Sequence, residues 1–138
     1  MIFLDYETLR LLWWAILGIL LIGFVILDGF DLGMAIFLPF LGRTDEERRI
    51  MINSVGPVWE GNQVWLILGA GASFAAWPFV YAVSFSGLYP AMFIALFGLV
   101  LRPVGFKFRS KMPNPSWRRF WDTIIFLGGF APSLIFGV

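Results

Sequence analysis

Between Leu11 and Leu41 the chain is apolar without interruption except at Asp28 and Asp31. A bilayer core needs only about 20 apolar residues in a helix, so this block predicts a membrane span over roughly residues 11–38. At about 1.5 Å per residue it is longer than a hydrocarbon core of about 30 Å, so it tilts, protrudes or bends, with Gly29, Gly33 and Pro39 as the positions for a bend. Further apolar blocks predict spans near residues 54–76, 81–101 and 121–138. The second is rich in small residues (Gly56, Gly61, Gly69, Gly71), which let helices approach closely in lipid. Long blocks rather than residue-by-residue alternation specify helices and not a β-barrel. The expected fold is therefore an all-α integral membrane bundle of about four transmembrane helices, a single transmembrane domain over residues 1–138.

The connections are short and sharply different in charge. Gly42 to Arg49 carries Arg43, Arg48 and Arg49, and Thr44 followed by Glu47 has the spacing of a capping box that starts a helix. Trp77-Pro78 predicts a tight, uncharged turn, whereas the stretch after Arg102 carries Lys107, Arg109, Lys111, Arg118 and Arg119. The positive-inside rule puts both basic connections in the cytoplasm and the N-terminus outside. Trp13, Trp14, Trp77 and Tyr81 then mark the outer interface and Trp117 and Trp121 the inner one, in agreement with the charge bias. The N-terminal segment lacks the basic start and small-residue cleavage site of a signal peptide, so the first helix is expected to be an uncleaved span. The last apolar block reaches Val138 with no polar flank, which predicts a chain truncated in its last span or completed by another.

Composition sharpens the class. Hydrophobic residues make up 59% of the 138-residue chain and charged residues 14%, against roughly 45–50% and about 25% in soluble domains. The net charge of +1 gives no reason to expect nucleic acid as a partner. There are no cysteines and no histidines. Disulfides, thiolate metal sites and iron–sulfur clusters are thereby excluded within this chain, and the commonest haem ligand is missing. No metal site and no cofactor bound by this chain alone are expected. Met34 and Met92 are read as packing residues rather than haem ligands.

The candidate chemistry lies in the few charges that interrupt the spans. A carboxylate at mid-membrane costs roughly 2.5–3.5 kcal/mol on insertion scales, so Asp28 and Asp31 should face protein or a wet cavity. Their i, i+3 spacing puts them on one helix face. With the topology above, Glu60 enters the same inner layer from the second span and Arg102 from the third. Asn62 and Gln63 lie just beyond Glu60 and can form hydrogen bonds between helices. One arginine cannot neutralise three carboxylates, so at least one is protonated or solvated. Glu60, Asp28 and Asp31 are the candidate proton path and Arg102 is their charge partner. The competing reading is structural: Arg102 pairs with one acid while the amides hold helices together.

Four ordered blocks carry a family resemblance: Gly29-Phe30-Asp31-Leu32-Gly33, Arg48-Arg49-Ile50-Met51-Ile52-Asn53-Ser54, Trp59-Glu60-Gly61-Asn62-Gln63-Val64-Trp65-Leu66 and Arg102-Pro103-Val104-Gly105-Phe106. Together they resemble the N-terminal half of subunit II of the cytochrome bd quinol oxidases, over essentially the whole chain. The resemblance implies the first of two four-helix bundles in a multi-pass protein of the bacterial inner membrane. It implies a complex that oxidises quinol and reduces dioxygen to water, with b- and d-type haems held by a partner, subunit I. It further implies a possible structural quinone and acids on a proton path at Asp28, Asp31 and Glu60, the last being Asp in some members. Two other classes compete, a proton- or ion-coupled transporter and a purely structural membrane partner. The first would favour inverted repeats, which the chain lacks. The second would leave turnover intact when the acids are neutralised.

Overall fold

The computed structural model describes residues 5–138, which form helices joined by short turns. Helix α1 spans Tyr6–Leu41, α2 Asp45–Val55, α3 Trp59–Ala76, α4 Pro78–Gly87, α5 Tyr89–Phe108 and α6 Pro115–Gly137. The Asp5 side chain accepts hydrogen bonds from the backbone N–H groups of Glu7 and Thr8 and so caps α1. The helix then continues without a break through Gly29, Gly33 and Pro39. At α2 the expected capping box is complete: Glu47 N–H donates to Thr44 Oγ1 at 3.2 Å, and Thr44 N–H donates to Glu47 Oε2 at 3.1 Å.

Two helix boundaries depart from the blocks read in the sequence. Ser54 and Val55 close α2, and a turn at Gly56-Pro57-Val58 precedes α3, so residues 54–76 do not form one helix. Likewise, residues 81–101 are divided between α4 and α5 at Leu88. The cause is Pro90 in the first turn of α5. Its missing N–H and its ring are compatible with a helix start, but they prevent α4 from running on. Pro78 plays the same part at the start of α4, and the chain bends by 119° between α3 and α4. Helices α1, α5 and α6 are each long and apolar enough to cross a membrane, and the bent α3–α4 pair would make a fourth crossing.

Helix α1 packs against both α3 and α6, and α5 packs against α6. A cluster of Met34, Ala35, Leu38, Ile52, Val55 and Ile125 fills the space between α1, α2 and α6. Two adjacent glycines set the α6 contacts. A Cβ on Gly128 would lie 2.8 Å from the Gly98 carbonyl oxygen, and one on Gly129 would lie 2.7 Å from the Ala35 Cβ. Gly128 thus brings α6 onto α5, and Gly129 brings it onto α1. The small residues singled out on α3 contribute less within this chain. Gly61 and Gly71 have open space beside them, while Gly69 meets Leu21 of α1. Large apolar side chains such as Trp14, Ile22, Phe74, Phe93 and Val100 point outward, the reverse of a soluble protein and the pattern a lipid or protein neighbour requires.

Candidate functional site

The apolar face of α1 would be an ordinary packing surface but for Asp28 and Asp31, both fully buried. One turn apart, they face inward together, as their spacing requires. Arg102, also fully buried, reaches across from α5, and its Nη2 donates to Asp28 Oδ1 at 2.7 Å. From α3 the Asn62 side-chain amide donates to Asp31 Oδ2 at 3.0 Å. Asp31 is also close enough for Arg102 to attract its charge and Asp28 to repel it. Three helices therefore meet at one polar centre. It is incompletely satisfied: among the described residues, Asp28 Oδ2, Asp31 Oδ1 and the Arg102 Nε and Nη1 have no hydrogen-bond partner. Asp28 takes the ion pair with Arg102, and Asp31 lies beside it in a medium where unbalanced charge is costly.

Glu60 does not join them. Its side chain is exposed, and among the described residues no hydrogen bond or ion pair links it to either aspartate. It lines a groove of about 330 Å³ between α3 and α5 with Gln63, Pro103 and Lys107. Helical phase explains the division. Residues two apart point to nearly opposite sides, so Asn62 turns to α1 while Glu60 and Gln63 turn to α5. Of the expected residues, Asp28, Asp31, Arg102 and Asn62 form one centre, and Glu60 and Gln63 face a separate groove.

A second charged cluster, which sequence reasoning missed, ties the ends of α2, α5 and α6. Asp122 on α6 accepts from Arg109 Nε and, at 2.7 Å, from Arg48 Nη1. Asp45 accepts from Arg109 Nη2 at 2.8 Å and from Arg118 Nη1 at 2.7 Å. Burial works against the Arg109 charge, but Asp122 and Asp45 more than offset it and raise its pKa above the ordinary arginine value. Arg109 therefore stays charged at any accessible pH. The available signal was that Asp122 is the only acid after Glu60. Asp122→Asn leaves Arg109 buried with one carboxylate partner fewer. The expected loss is about 3 kcal/mol of stability, read as a lower melting temperature of the assembled protein.

The donor set does not suit a haem or a transition metal. With no His or Cys, the methionines are the remaining soft ligands. Met34 is packed into the apolar cluster. Among the described residues no three carboxylates come together as a metal site.

These features define a helical membrane protein with a buried Asp–Arg–Asn centre inside an apolar bundle. Residues 9–138 match the model of the family described as cytochrome bd terminal oxidase subunit II, and the chain belongs to that family. It is thus a multi-pass membrane protein of a bacterial respiratory oxidase family. It is 58% identical over 135 residues to the cytochrome bd-I ubiquinol oxidase subunit 2 of Escherichia coli K12, covering 98% of this chain and 36% of that one. To the probable cytochrome oxidase subunit 2 of Haemophilus influenzae it is 56% identical over 135 residues, with the same coverage. To the cytochrome bd ubiquinol oxidase subunit 2 of Bacillus subtilis it is 43% identical over 131 residues, 95% of this chain and 39% of the relative. The chain thus spans little more than a third of the length of these relatives.

Proposed function

We propose that the chain forms the N-terminal bundle of subunit II in a quinol:dioxygen oxidoreductase of the bacterial inner membrane, beside a subunit I that holds the b- and d-type haems. In that complex the haems carry electrons from quinol to dioxygen, and this chain handles protons and packing. The observation that carries the proton role is Asp31: a fully buried carboxylate with Oδ2 held by Asn62 and Oδ1 without a partner among the described residues, beside an ion pair that already uses Arg102. An anchored carboxyl group with a spare oxygen can take up and release a proton there without losing its position. Glu60, in its groove with Lys107, is the entry group, and α3 separates it from Asp31. Asp28 and Arg102 hold the centre together and set its field.

Asp31→Asn keeps the shape and an oxygen to accept from Asn62, but it cannot carry the proton. It is expected to leave haem content of the assembled complex unchanged and slow oxygen consumption by about 100-fold. Glu60→Gln, at an exposed position where water can substitute, should slow it less. Normal turnover in a fully assembled Asp31→Asn complex would sink the relay and leave the structural reading. The orientation has its own test. With the N-terminus outside, cysteines placed at Thr44 or Ser110 stay unlabelled by an impermeant thiol reagent applied to intact cells, and labelling of either reverses the topology.

A further inference from the structure

The arginine-rich end of the bundle carries more positive charge than its own ion pairs consume. A cavity of about 350 Å³ there is lined by Arg43, Arg48, Arg109, Arg118 and Arg119, against Asp45 and Asp122. Among the described residues, Arg109 Nη1 and Arg118 Nε have no hydrogen-bond partner, although the Arg109 side chain is only 2% exposed. Among the described residues, no ion pair engages Arg43 or Arg119, which are exposed. The excess of three positive charges surrounds this space. That suits a phosphate group and a short polar head.

A second cavity of about 330 Å³ adjoins it, sharing Arg48, Arg119 and Asp122, but its other walls include Pro39, Phe40 and Phe126. Phe40 meets Phe126 edge-on at 6.0 Å, and Phe126 stacks on Phe130 at 5.6 Å. Along α6, Phe126 and Phe130 lie about 6 and 12 Å beyond Asp122. A cationic cup therefore opens onto an aromatic shelf that runs toward the apolar middle of the helix. We infer that this end of the bundle binds one anionic phospholipid, with its phosphate among Arg43, Arg109 and Arg119 and an acyl chain along Phe40, Phe126 and Phe130. The charge alone fits any phosphate, but the adjoining shelf selects one that carries a chain.

The test uses the assembled complex, stripped of lipid in neutral detergent and then offered phosphatidylglycerol or phosphatidylcholine, with retained lipid counted by native mass spectrometry. Phosphatidylglycerol is expected to remain on the wild type. Retention should fall about thirtyfold in Arg43→Gln/Arg119→Gln, which removes two surface charges without breaking an ion pair. Arg43→Lys/Arg119→Lys should keep the lipid, which separates loss of charge from a folding defect. Equal retention of phosphatidylcholine, unchanged retention in the Gln variant, loss in the Lys variant, or no retention by the wild type would each overturn the site. Glycerophosphate, which lacks chains, should fail to displace the lipid at equal concentration. Displacement would make this a pocket for free phosphate and overturn the lipid assignment.

Discussion

Arg102→Gln is expected to abolish or sharply reduce assembly, because it leaves Asp28 and Asp31 buried with no positive charge between them. Removing one member of a buried pair typically costs about 3–5 kcal/mol, a large part of the stability of a marginal fold. Asp28→Asn should be much milder. Arg102 already acts on Asp31, so losing Asp28 leaves one acid against one base. The double variant Asp28→Asn/Arg102→Gln should recover part of the loss of Arg102→Gln. Yield and melting temperature of the purified complex measure all three. Equal damage from the two single changes would show that charge balance is not what the centre requires.

The second large effect belongs to the α6 glycines. In Gly128→Ala the new methyl group would stand 2.8 Å from the Gly98 carbonyl and 3.1 Å from Arg102 Cβ; in Gly129→Ala it would stand 2.9 Å from the Leu32 carbonyl. Backbone oxygens cannot rotate away, so α6 must separate from its neighbour. Each change is expected to cost about 1–3 kcal/mol, and Val or Leu more. Gly128 carries an added consequence, since displacement of α5 moves Arg102 relative to Asp28. Gly71→Ala is the control: among the described residues nothing beyond its own helix backbone and chain neighbours lies within 4 Å of the new Cβ, and a helix gains up to about 1 kcal/mol from the exchange. A melting temperature that falls as far in Gly71→Ala as in Gly128→Ala would refute the close-packing account.

Local signals are legible in the sequence. Thr44 and Glu47 are three residues apart and cap α2 reciprocally, so nothing beyond the segment was needed to predict that helix start. Asp28 and Asp31 share a face for the same local reason. Depth alone was a poor guide to Glu60, because placing it in the layer of Asp28 ignored its rotation about α3. The 200° between Glu60 and Asn62 was available in the sequence and separates them. Hydropathy likewise merged α4 into α5, since Pro90 changes the path of the chain without changing its apolar character. Asp122 is different. Its partners Arg48 and Arg109 are 74 and 13 residues away, and no local pattern distinguishes a carboxylate clamped by two arginines from one in water.

The separation between Asp28 and Arg102, also 74 residues, sets an order of events during synthesis. At about 5–20 residues per second, Asp28 is made roughly 4–15 s before the arginine that neutralises it. Throughout that interval α1 either waits at the insertion machinery or enters lipid with two unpaired acids. Its long apolar flanks favour entry, while the acids hold open a demand for positive charge that Arg102 of α5 meets. A chain stopped before α5 is then expected to be recognised as unfinished and degraded, and its half-life in a pulse-chase should lengthen once translation passes Arg102.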